Sequence, residues 1–132
     1  MSDGVIQECE GGFGKDRAWR PCVVVAAARP SHGVSRPLRR AGWDVYEAAC
    51  GPQLRRLVGL LEAGLAVLDL ALGEEDILRT CARLRAQWPD GRIVLLGEDA
   101  SRRRRLAASA GADALVPRDG VVEAAVPMRA AA

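Results

Sequence analysis

"LAVLDLALGEEDI", residues 65–77, decides the reading of the fold. Its first six residues are apolar except for one carboxylate, Asp69, and the chain then turns acidic at Glu74, Glu75 and Asp76. An uninterrupted apolar run of this length suits a strand covered on both faces, as in a parallel sheet. A buried, unpaired carboxylate would cost several kcal/mol or take up a proton. Asp69 is therefore expected at the rim of the sheet, near water, where the strand ends.

Similar runs recur on both sides. "CVVVAAA" (22–28), "RIVLLG" (92–97) and the shorter "DALVPR" (113–118) read as strands, and "WDVYEA" (43–48) alternates as an edge strand does. Helical patterns fill the gaps. Leu54, Leu57, Val58 and Leu61 share one helical face, with Pro52 in the first turn and Gly64 as the stop. Ile77, Cys81, Leu84 and Trp88 form a second such face behind an acidic start that suits the helix dipole. A third helix runs from Ser101, a suitable N-cap, to Gly111. Between the first two strands Gly33 and Pro37 oppose a long helix, so a short or irregular one is expected. "GVVEAAVPMRAAA" offers a short fifth, interrupted by Pro127.

Five strands joined by helical crossovers imply right-handed βαβ units and a doubly wound α/β sandwich of three layers. The order 2-1-3-4-5 places the alternating second strand at an edge and the most apolar strands, the first and third, at the centre. Residues 21–126 form this domain. Residues 1–20, Gly-rich and without period, are expected as a flexible tail, and residues 127–132 as a C-terminal tail. In such sheets ligands bind beyond the carboxyl ends of the strands, where Asp69 stands.

The totals exclude several functions. A net charge of +2 demands no polyanionic partner, and no stretch approaches the roughly 18 apolar residues of a membrane span. Of the 19 basic residues only Lys15 is lysine, which reads first as genome composition. No two of Cys9, Cys22, Cys50 and Cys81 have CxxC spacing; the last three sit in apolar segments and read as small buried hydrophobes. His32 is the only histidine, too isolated for a metal site or a triad. "GGFG" (11–14) has no strand before it and no GK[ST] after it, so it is not a phosphate-binding loop. With no signal-peptide core, a cytoplasmic location with reduced thiols is expected.

The order of elements and four local segments resemble the receiver domain of bacterial response regulators, the CheY-like fold. These segments are "RRAGWDVYEAACG", "VLDLALGEEDILRTCARLR", "RIVLLGEDAS" and "SAGADALVPRDG". The resemblance covers about residues 21–126. It implies phosphoryl transfer from a histidine kinase to an aspartate, with Mg²⁺ held by that aspartate and an acidic pair on the first strand. A hydroxyl residue on the fourth strand and a lysine after the fifth would hold the phosphoryl oxygens.

Carried over residue by residue, most of this set is replaced. Asp69 matches the phosphoacceptor. The acidic pair falls on Ala26 and Ala27, with Ala28 beside them; the hydroxyl falls on Leu96; the lysine falls on Arg118, or on Pro117 if the turn shifts by one. Gly73 stands where a proline usually follows the phosphoacceptor loop. One carboxylate is a poor site for Mg²⁺, which prefers octahedral oxygen coordination, so Mg²⁺ binding is expected to be weak or absent and no other cofactor is implied. Arg118 is placed to pair with Asp69. Glu98 and Asp99 are candidate substitute ligands.

The run Arg102, Arg103, Arg104 and Arg105 marks a candidate partner surface. In receivers the fourth-helix to fifth-strand face carries dimer and output contacts. The expected function is thus an atypical, phosphorylation-independent receiver domain that is not an enzyme and acts by protein contact or as a homodimer. Nucleic-acid binding is not expected from one short basic run without aromatic residues. Two alternatives stand beside this reading: a working phosphoacceptor that uses Asp69, and a flavodoxin-like module for a small ligand.

Overall fold

The computed structural model describes residues 21–125, so the expected tails 1–20 and 127–132 lie outside the described residues. In chain order the elements are β1 (Cys22–Ala26), α1 (His32–Arg40), β2 (Asp44–Glu47), α2 (Gly51–Leu61), β3 (Leu65–Asp69), α3 (Glu74–Gln87), β4 (Arg92–Leu96), α4 (Ser101–Ser109) and β5 (Ala114–Val116). Residues 121–125 are helical again. The five strands are all parallel in the order β2-β1-β3-β4-β5, as the apolar runs and crossovers predict.

Strand alternation divides the apolar runs between two cores. Val24, Ala66, Leu68, Ile93 and Leu95 face α2, α3 and α4, where they meet Leu54, Val58, Ile77, Cys81, Leu84 and Ala107. Val23, Val25, Leu65, Val67, Val94 and Leu96 face the other layer, with Val34 and Leu38 of α1 and Val121 and Ala125 near the C-terminus. Every residue of β3 is buried, whereas β2 buries only Val45 and β5 none. This is the burial expected of one central and two edge strands.

Several local expectations are corrected. The α1 helix is short, as expected, with 9 residues, but it is regular and runs through Pro37. Full burial of Val34 and Leu38 holds it despite the lost N–H. The turn that stops α2 is Glu62, at φ 51, while Gly64 already donates to the Cys22 carbonyl and enters the sheet. Ser101 is the first residue of α4, not its cap; that position belongs to Ala100. Strand ends fall one or two residues short of the apolar runs.

The cysteines also divide differently. Cys81 is buried and Cys22 half-buried, but Cys50 is exposed beside α2. Burial pushes the Cys81 thiol up to about 11, so almost none is thiolate at neutral pH. Native-state alkylation should therefore label Cys50 well before Cys81, as read by peptide mass mapping. Equal labelling rates would show that α3 opens freely.

Glu47 ties β2 to α1: the Ser31 hydroxyl donates to Oε1 at 2.7 Å and the buried Ser35 hydroxyl donates to Oε2 at 2.6 Å. These two bonds, Ser35 first, hold the Glu47 carboxyl below its ordinary value of 4.5. A depressed folded value means stability that is present above the unfolded value and lost as pH falls through the folded one. Glu47→Gln should therefore flatten the acid limb of the stability–pH curve, measured by urea unfolding at stepped pH, and leave its slope above neutrality unchanged.

Candidate functional site

Asp69 ends β3 at the carboxyl edge of the sheet, opposite Leu96 of β4 in the strand register. It is 3% exposed, so the expectation of a carboxylate open to water is corrected: Asp69 is buried, and it is paired. Its Oδ1 accepts the Ala71 N–H at 2.9 Å, which caps the short turn Leu70–Leu72. Its Oδ2 accepts the Ala28 N–H at 3.0 Å. These bonds meet the desolvation cost that burial imposes.

Arg118 supplies the counter-charge. It follows β5 and Pro117 and opens the turn Arg118–Gly120. Its Nη2 lies 3.3 Å from Asp69 Oδ2 and also donates to the Ala28 carbonyl. Its Nη1 donates to the Pro30 carbonyl at 3.2 Å. The contact with Asp69 is single, not bidentate, because the rest of the fork grips the loop after β1. One guanidinium thus joins the end of β3, the β1–α1 loop and the β5 turn.

A cavity of about 540 Å³ opens above this pair, lined by Ala28, Asp69, Leu70, Gly97, Glu98, Arg103, Pro117 and Arg118 among others. The two residues placed there from the first strand lie elsewhere. Ala26 is buried among the α2–α4 core residues and Ala27 packs against the other core. It is Ala28 that reaches the cavity wall. Leu96, given the hydroxyl position, is fully buried in the α1-side core, and Gly97 takes its place at the cavity.

Glu98 lines the cavity mouth, but Asp99 does not; it pairs with Arg104 on α4. The four arginines also separate. Arg102 reaches Glu74 at 3.1 Å, and Arg104 is taken by Asp99. Arg103 turns inward to the cavity, and Arg105 is exposed to solvent. They are not one uniform surface, because successive helical residues lie about 100° apart.

No protein-family model matches the chain, and no curated protein matches it. Solved structures do. A response regulator from Thermotoga maritima superposes with a TM-score of 0.73 at 21% identity, over 85% of this chain and 99% of its own. The fold is that of a response-regulator receiver domain. The receiver domain of the putative response regulator NarL from Mycobacterium tuberculosis gives a TM-score of 0.72 at 22% identity, covering 83% of this chain and 97% of that one. The BeF3-activated receiver domain of Klebsiella pneumoniae RstA gives 0.69 at 25% identity, covering 81% and 96%. Within this receiver fold, Asp69, Arg118 and the cavity occupy the carboxyl edge of the sheet, where such folds bind ligands. No helix among the described residues is long and apolar enough to cross a membrane.

The fold implies a divalent cation, and the residues present do not fit one. Ala26, Ala27 and Ala28 supply no carboxylate, and both Asp69 oxygens already accept N–H groups. A guanidinium stands beside the carboxylate where an added cation would be repelled. No three His, Cys, Asp or Glu side chains converge on a common point among the described residues.

Sequence reasoning set Ala28 only beside the site and missed Gly97 and the inward turn of Arg103. The signal for Arg103 was present: it lies one helical turn before Ala107, the buried residue of α4.

Proposed function

We propose that this chain is an atypical receiver-type signalling domain that works without phosphorylation of Asp69. The observation that carries the reading is the tether of Asp69 to Arg118, with alanines where the fold would hold its acidic pair. Phosphoryl transfer depends on positioning and on neutralising charge at the reacting oxygens. Here the carboxylate is already neutralised from within, and Gly97 brings no hydroxyl to the place where one would bind a phosphoryl oxygen. Output then runs through protein contact, as a homodimer or with a protein partner, on the α4–β5 face. Exposed Arg105 and the half-buried residues of β5 support that choice.

The test is incubation with acetyl phosphate and Mg²⁺ followed by intact-mass measurement, with Asp69→Asn as the control. No adduct on a folded protein is expected. An adduct lost in the control would replace this reading with that of a working phosphoacceptor, and Glu98 would become the next residue to vary.

A further inference from the structure

Arg103 alone of the run 102–105 lines this cavity. Its side chain is only 30% exposed, and Glu74 Oε2 lies 3.8 Å from its Nε. That same carboxylate oxygen is better engaged by Arg102, at 3.1 Å. Beyond that long contact with Glu74 no hydrogen bond engages the Arg103 guanidinium among the described residues, and the side chain lines the cavity with donors to offer.

Gly97 stands beside it. A Cβ at Gly97 would lie in ordinary contact with Arg103 Nη1, at 3.5 Å, but only 3.0 Å from Leu70 Cδ1, so a larger residue there would press on Leu70. The cavity is therefore walled by two arginines, Arg103 and Arg118, with apolar surface from Ala28, Leu70 and Pro117 between them. Of its two carboxylates, Asp69 is covered by three donors and Glu98 is exposed at the mouth. The volume, about 540 Å³, lies within the range of small-ligand sites.

We propose that this cavity is a non-covalent site for a small organic anion, a carboxylate or a phosphate, held by Arg103 with its apolar body against Ala28, Leu70 and Pro117. Charge-assisted bonds from a guanidinium suit both anions. The site rests on the phosphorylation-independent reading, since it needs a cavity that no covalent phosphoryl group fills. It gives that reading an input: a metabolite, in place of a phosphoryl group, sets the state of the domain.

Amide chemical shifts of the ¹⁵N-labelled protein, titrated separately with inorganic phosphate and with succinate, test the site. A saturable shift at Ala71, Gly97 and Glu98 is expected, with affinity on the order of millimolar for so small a probe. Saturation with only one probe supports the site and identifies which anion chemistry it takes. Arg103→Gln should weaken binding roughly tenfold, while Arg105→Gln, on the solvent face of the same helix, should leave it unchanged. Titrating Asp69→Asn keeps the result separate from covalent chemistry: an acetyl phosphate adduct overturns the functional reading, whereas this titration addresses only the anion site. No saturable shift with either probe, or equal binding by folded Arg103→Gln, would overturn the site.

Discussion

Arg118→Met is expected to lower the stability of the domain by about 2 kcal/mol, because it removes an ion pair and two hydrogen bonds to carbonyls at once. Asp69 would keep the N–H groups of Ala28 and Ala71 but lose its only cationic partner among the described residues. The Asp69 side chain is 5% exposed, so water cannot replace that partner from its side. Arg118 is 38% exposed, and water there moderates the loss below that of a fully buried pair. The companion Asp69→Asn removes the charge and keeps the shape. In the double variant the penalty of Arg118→Met should shrink by about 1 kcal/mol, because no carboxylate is left unpaired. Urea unfolding of the four proteins measures this, with an unchanged slope as the sign that only stability moved. Strict additivity would mean that Arg118 acts only through the Ala28 and Pro30 carbonyls.

Arg85→Ala should cost more, about 3 kcal/mol, although it is far from the cavity. From the last turn of α3 its guanidinium donates to four carbonyls: Nε to Gly111 at 2.9 Å, and Nη1 to Gly91 at 2.7 Å, Pro89 at 2.9 Å and Trp88 at 3.3 Å. Nη2 meets Asp113 at 2.8 Å, and the same Asp113 oxygen accepts the Ile93 N–H. One side chain thus closes the α3–β4 loop and fastens it to the α4–β5 loop. Gly111 fits the arrangement because its φ is +93° and a Cβ there would lie 2.8 Å from Arg85 Cγ. Arg85→Lys should recover little of the loss, since three ammonium donors on one atom cannot reach acceptors this far apart. Thermal unfolding checks both variants; a lysine variant as stable as the parent would reduce Arg85 to a surface charge.

The architecture was legible because its signal is redundant. Val23, Val24 and Val25, the run before Asp69, and Ile93, Val94 and Leu95 each mark a strand covered on both faces, and the gaps between them suit only crossovers. The site was legible in part. Asp69 and Arg118 could be placed together because one ends a strand and the other follows one, and both strands have their carboxyl ends at the same edge. Ala28 and Gly97 could not, because a strand that ends one residue earlier turns the next side chain to another side. That single residue is why Leu96 faces the core and Gly97 the cavity. Nothing in the sequence marks Arg85, whose acceptors are mostly backbone carbonyls that any residue could supply. The run 102–105 looks uniform as letters, and only the phase of α4 sets Arg103 apart.

β5 has one further consequence. It is an edge strand of three residues, bounded by Asp113, which is tied back to Ile93 and Arg85, and by Pro117, which has no N–H to offer. An incoming chain would find too few free backbone groups there to add a strand, and a charge and a proline at the two ends. The sheet is thereby guarded against growth into fibres along this edge. Any partner that docks on the α4–β5 face must grip it by side chains, so its specificity is written in residues such as Arg105 and Leu115 rather than in the generic ladder of the backbone.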